Sequence, residues 1–107
     1  MGDSGVLKRN IEPIVTAFLS GMGRRTPAPE VSHNEDGSVT LEWSSDVGLA
    51  CLDIEPHEFR FMISPYRGPH SRTYLMDGDI GFDESVESVI EKMARIPDMV
   101  SSRLFGG

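Results

Sequence analysis

Between positions 30 and 58 the chain has no lysine and no arginine, yet it holds eight acidic side chains: Glu30, Glu35, Asp36, Glu42, Asp46, Asp53, Glu55 and Glu58. A surface of that sign repels nucleic acid and attracts basic protein patches. There is one cysteine, Cys51, which excludes an internal disulfide and removes any argument for a stapled, secreted scaffold. No stretch approaches the roughly 18–20 apolar residues that cross a bilayer. The start lacks a signal-peptide pattern, since Gly2, Asp3 and Ser4 open it and Glu12 and Pro13 interrupt the apolar positions. Val6 stands where N-myristoylation requires Ser or Thr. The expectation is a cytoplasmic protein with no membrane association.

Chemical motifs are also scarce. Cys51, His33, His57 and His70 supply soft ligand types, but no two of them have zinc-finger or Cys-x-x-Cys spacing. Asp77, Asp79, Asp83 and Glu84 crowd one short segment, as calcium loops do. An EF-hand counted from Asp77 would need Gly and Glu where Phe82 and Ser88 stand. That segment reads instead as a turn feeding a helix cap. A Cys51–His57 nucleophilic pair needs the two residues side by side across a strand reversal, and no oxyanion element accompanies them. The expectation is a protein that is not an enzyme and uses no cofactor.

What is present describes a small folded unit. At 107 residues, with 38% hydrophobic and 25% charged side chains, the chain has the composition of one globular domain spanning 1–107, with tails at 1–9 and 98–107. The net charge of −7 is segregated: residues 1–29 carry +2, 30–59 carry −8, 60–76 carry +3 and 77–107 carry −4.

Hydrophobic periodicity places the elements. Leu7, Ile11, Ile14, Val15, Phe18, Leu19 and Met22 share one helical face. Pro13 is tolerated only in a first turn, so the cap is expected at Asn10, and Gly21 and Gly23 end the helix. The segment 24–29 is an extended connector with two prolines. Val39, Leu41 and Trp43 alternate with polar residues, as strands do. Asp36-Gly37 before them predicts a two-residue turn with positive φ at both positions, and pairs residues 30–34 with this strand, Val31 on the buried side. Ala50, Leu52 and Ile54 are expected inward on a third strand, with Phe59, Phe61 and Ile63 inward on a fourth after a reversal at Pro56-His57. A fifth strand is expected over 72–76. A helix over 84–96, capped by Asp83 and carrying a Glu91–Arg95 pair, closes the pattern. Pro97 then stops it or opens a short terminal turn using Met99, Val100 and Leu104. The predicted class is α+β: an antiparallel four- to five-stranded meander with an N-terminal and a C-terminal helix on one face.

The hairpin segment, Pro29-x-Val31 followed by Asp36-Gly37-x-Val39-x-Leu41-Glu42-Trp43, resembles small uncharacterised bacterial and phage accessory proteins, some encoded near toxin–antitoxin or mobile-element genes. The resemblance covers about 15 residues and implies an accessory protein but no reaction.

Charge and size then give the functional expectation: an acidic interaction protein that binds and neutralises a basic partner, in the manner of an anti-CRISPR, an antitoxin or an immunity protein. Glu42, Asp46, Asp53, Glu55 and Glu58 would imitate a phosphate backbone. Tyr66, Arg67 and Arg72, in a Pro- and Gly-bounded loop, would add contacts to the partner. The partner would be a nucleic-acid-binding protein, effector subunit or toxin, met by a monomer or dimer. Nucleic acid itself is disfavoured, because two loop arginines are a small footprint on an acidic chain. Two alternatives compete. A secretion-chaperone or adaptor would use exposed Met62, Met99, Val100, Leu104 and Phe105. A small-molecule-binding protein or enzyme would use the 65–72 loop with Cys51 and His57. The terminal Gly106-Gly107 also resembles the tail of ubiquitin-like modifiers, but those begin with a hairpin, and a helix is expected first here.

Overall fold

The structure, a computed structural model, describes residues 9–24, 26–65 and 73–106. Helix α1 (Glu12–Ser20) precedes strands β1 (Glu30–His33), β2 (Val39–Ser44), β3 (Gly48–Ile54), β4 (Glu58–Pro65) and β5 (Tyr74–Asp79), and helices α2 (Val86–Lys92) and α3 (Ile96–Leu104) follow. The strands form one antiparallel sheet in the order β1-β2-β3-β4-β5, as short reversals between consecutive strands dictate. The α+β class and the five-stranded meander are as expected. The helices lie on one face of the sheet and the other face is open.

The core is built by the two periodicities read from the sequence. Val39, Leu41, Trp43, Ala50, Leu52, Ile54, Phe59, Phe61 and Ile63 alternate along β2, β3 and β4 and are all buried. Ile14, Val15 and Phe18 of α1, Val89 of α2 and Ile96, Val100 and Leu104 of α3 cover them. Each fully buried Val, Leu, Ile or Phe side chain contributes about 1.5–3 kcal/mol. The Phe18 ring meets Trp43 edge-on at 6.4 Å, and the Trp43 indole N–H donates to the Pro27 carbonyl at 2.9 Å. The Thr26 hydroxyl lies 2.6 Å from that of Ser101, so the proline-rich connector is fastened to both sheet and helix.

Several local expectations change. Asn10 does serve the start of α1, accepting the Glu12 N–H at 3.1 Å, although it sits one residue before the cap position Ile11. The hairpin at 34–38 closes through Asn34 N–H to Ser38 O at 2.9 Å and Gly37 N–H to Asn34 O at 3.1 Å. Gly37 has φ +89° and no described non-glycine residue has positive φ. The loop is therefore a type I turn ending in a left-handed glycine, not a turn with two positive φ values. Val31 faces the core side but lies on the sheet edge and is 40% exposed.

Strand β5 runs three residues past its expected end. Gly78 is a strand residue because the Phe59 ring occupies the space above it, 2.6 Å from where a Cβ would stand. The expected helix over 84–96 is two helices. Ser85, not Asp83, caps α2, accepting the Ser88 N–H at 3.1 Å. Pro97 lies in the first turn of α3, where its missing N–H costs nothing. Glu91 and Arg95 thus fall on opposite sides of a helix break. Among the described residues no helix is long and apolar enough to cross a membrane.

Candidate functional site

The open face of the sheet is organised by cross-strand register. One row runs Glu30, Glu42, Cys51, Met62, Leu75 across all the strands. It begins with carboxylates at β1 and ends in apolar side chains at β5. The adjacent row runs Ser32, Thr40, Asp53, Arg60, Asp77. Beyond it Glu58 faces Asp79. A hollow of about 340 Å³ opens between the two rows, lined by Cys51, Asp53, Arg60, Met62, Leu75 and Asp77 among others. Leu75, at 72% exposure, is the most exposed large apolar side chain among the described residues.

Internal contacts hold part of this charge. Asp53 accepts the Thr40 hydroxyl at 2.7 Å, and Thr40 in turn accepts from the Asn34 amide at 3.1 Å. The Arg60 guanidinium lies 3.3 Å from Glu58. Glu42, Glu55 and Asp77 make no side-chain hydrogen bond or ion pair within the described residues. At this end Arg60 stands cross-strand from both Asp53 and Asp77, with Glu58 and Asp79 as the next pair along. Burial, followed by the charges of Asp53 and Glu42, pushes the Cys51 thiol up from an ordinary 9.0 to about 11.

The sequence-predicted residues do not form one patch. Glu42 and Asp53 lie on neighbouring rows, and Glu55 and Glu58 lie at the β3–β4 reversal. Asp46 is in the β2–β3 turn at the far end of β3, roughly 23 Å away along the strand by the rise per residue. Tyr66, Arg67 and Arg72 lie outside the described residues, as does His70. Cys51 pairs with Met62, which puts it roughly 16 Å of strand from His57, so that nucleophilic pair is not assembled. Val100 and Leu104, expected on an exposed apolar surface, are buried in the core. Met62 and Met99 are half-buried and Phe105 is 37% exposed.

Sequence reasoning missed Leu75, Asp77 and Asp79. Their period of two was legible, but Gly78 was read as a turn, which cut the strand short. Glu84 was read as a first-turn helix residue, and it is a clip instead. It accepts the Gly81 N–H at 2.9 Å, the Ser88 hydroxyl at 2.5 Å and the Lys92 ammonium at 3.1 Å. The Ser88 hydroxyl first, then the Gly81 N–H and Lys92, draw its carboxyl down to about 2. Among the described residues no cluster of three or more His, Cys, Asp or Glu side chains is arranged to hold a metal ion.

The fold and the open face define an α+β protein with an antiparallel meander covered by helices on one side only. No family model, no curated protein and no solved structure matches the chain.

Proposed function

We propose that this is a non-enzymatic binding protein whose open sheet face captures and neutralises a basic partner protein. The observation that carries the reading is the uncovered face itself, where the carboxylates of Glu42, Asp53 and Asp77 border the apolar row of Cys51, Met62 and Leu75. Carboxylates without internal partners steer and orient a cationic surface, while the apolar row supplies area that water leaves on contact. A nuclease, effector subunit or toxin with a basic groove has the matching chemistry, and the protein would meet it in the cytoplasm.

The test is capture of partners from a host lysate at low and high salt, by the protein and by its Glu42→Lys/Glu55→Lys/Asp77→Lys variant. Charge-driven capture weakens steeply with ionic strength. A basic protein that elutes with salt and is lost by the variant supports the reading, provided circular dichroism shows the variant folded. Equal capture by a folded variant removes it. The exposure of Leu75 favours a second reading, an adaptor that binds through apolar contacts, and this predicts capture that salt does not release.

A further inference from the structure

The geometry points to the free edge of β5 as a docking site for a partner segment that adds as a sixth, antiparallel strand with alternating cationic residues. This rests on the reading of the protein as a binder of basic partners, and it names the form in which the partner binds. The backbone supplies the first argument. Ile80 N–H donates to the His57 carbonyl at 2.9 Å, one step beyond the Glu58–Asp79 pair. Bonded and non-bonded pairs alternate in an antiparallel ladder. Tyr74, Met76 and Gly78 therefore turn their N–H and C=O groups toward β4. Leu75, Asp77 and Asp79 turn theirs to the free edge. The Asp79 carbonyl is already taken by the Lys92 ammonium at 2.7 Å, which leaves Leu75 and Asp77 as the open rungs among the described residues.

Side chains supply the second argument. The residues with open rungs are those whose side chains stand on the open face. An added strand would set one side chain beside Leu75 and others, two and four positions away, beside Asp77 and Asp79. The Arg60 guanidinium, cross-strand from Asp77, is engaged by Glu58, and Asp79 faces Glu58. The complementary strand is cation-x-cation-x-apolar, read antiparallel to β5. A second copy of this chain is a poorer occupant. The two-fold registers that overlap most of β5 set Asp77 or Asp79 against Leu75 or another carboxylate, and like charges directly opposite are destabilising.

The probe is a fluorescein-labelled peptide containing Lys-Val-Lys-Val-Leu-Thr, whose lysines would fall opposite Asp79 and Asp77 and whose leucine would fall opposite Leu75. Controls are a scramble of equal charge without alternation and the peptide with both lysines replaced by glutamate. Binding is read by anisotropy, and amide exchange at Leu75 and Asp77 by NMR. Leu75→Pro removes an edge-facing N–H, a substitution edge strands tolerate, together with the leucine side chain. Leu75→Ala removes that side chain alone, and Asp77→Lys reverses one side-chain contact.

The expected result is preferential binding of the alternating peptide and slowed exchange at both amides. Leu75→Pro should weaken binding roughly tenfold more than Leu75→Ala does, the equivalent of a lost hydrogen bond, and Asp77→Lys should shift preference toward the glutamate peptide. Equal binding of the scramble with both amides unprotected overturns strand addition while leaving the basic-partner reading intact. Failure of every cationic peptide to bind overturns both. Concentration-dependent dimerisation that protects the same amides without peptide assigns the edge to a second copy and overturns the proposal.

Discussion

Cys51 lies between Glu42 of β2 and Met62 of β4 on the open face, and its surroundings decide its chemistry. The thiolate is the reactive form of cysteine, and here partial burial disfavours it most, with Asp53 and Glu42 adding repulsion. A thiol raised from 9.0 to about 11 holds about 100-fold less thiolate at neutral pH than an ordinary one, since each unit is a factor of ten. Iodoacetamide should therefore alkylate Cys51 roughly ten- to 100-fold more slowly than a free cysteine at pH 7, because the greater nucleophilicity of a more basic thiolate offsets part of its scarcity, with the rate still climbing above pH 9. Asp53→Asn should recover only part of the rate, because burial is the larger cause. Alkylation at the rate of free cysteine would show that the thiol is neither desolvated nor repelled. The direction is the opposite of that in an activated nucleophilic thiol, whose pKa is lowered.

At the scale of elements, the Glu84 clip joins the end of β5 to α2. Lys92 reaches both the Glu84 carboxylate, 3.0 Å away, and the Asp79 carbonyl, while Arg9 donates to the Gly81 carbonyl at 2.6 Å. The Glu84 carboxyl is drawn from an ordinary 4.5 to about 2. A depressed carboxyl pKa gives stability that is fully present above the unfolded value and lost as pH falls toward the folded one. Urea unfolding of the wild type and of Glu84→Gln should therefore differ most above pH 4.5, and the gap should close as pH drops toward 2. A gap that stays constant between pH 7 and pH 2.5 would show that the carboxylate charge is not what holds the clip.

This region also marks where the sequence stopped being legible. Strands β2, β3 and β4 could be read because alternation of buried and open residues is local. The ends of β5 and α2 could not, because contacts distant in sequence fix them. Gly78 fits a strand only because the Phe59 ring lies over it, and Glu84 leaves the helix for partners supplied by Gly81 and Lys92. Pro97 is legible as a boundary, but whether it ends one helix or starts another depends on the core that Val100 and Leu104 enter.

For the whole molecule, the excess of acid was plain in the sequence, whereas its arrangement was not. Meander topology puts the 34–38 and 55–57 reversals at one end of the sheet and the 45–47 turn at the other. Glu55 and Glu58 therefore gather with Asp53, Asp77 and Asp79 while Asp46 stands apart. Arg60, counted by sequence as part of a basic segment, folds into the middle of that acidic end, 3.3 Å from Glu58 and cross-strand from both Asp53 and Asp77. On a chain of net charge −7, self-repulsion concentrated at one end opposes folding and is screened by salt. An exposed pair such as Glu58–Arg60 contributes only about 0.2–1 kcal/mol by itself, but removing Arg60 leaves its carboxylate neighbours facing one another. Arg60→Gln should therefore lower the melting temperature at low ionic strength, by the equivalent of about 1 kcal/mol. Most of that loss should be recovered near 1 M NaCl, where the screening length falls to about 3 Å. The wild type should gain less from the same salt. If the variant and the wild type melt together at every salt concentration, Arg60 does not offset the acidic end, and those carboxylates are already dispersed by solvent.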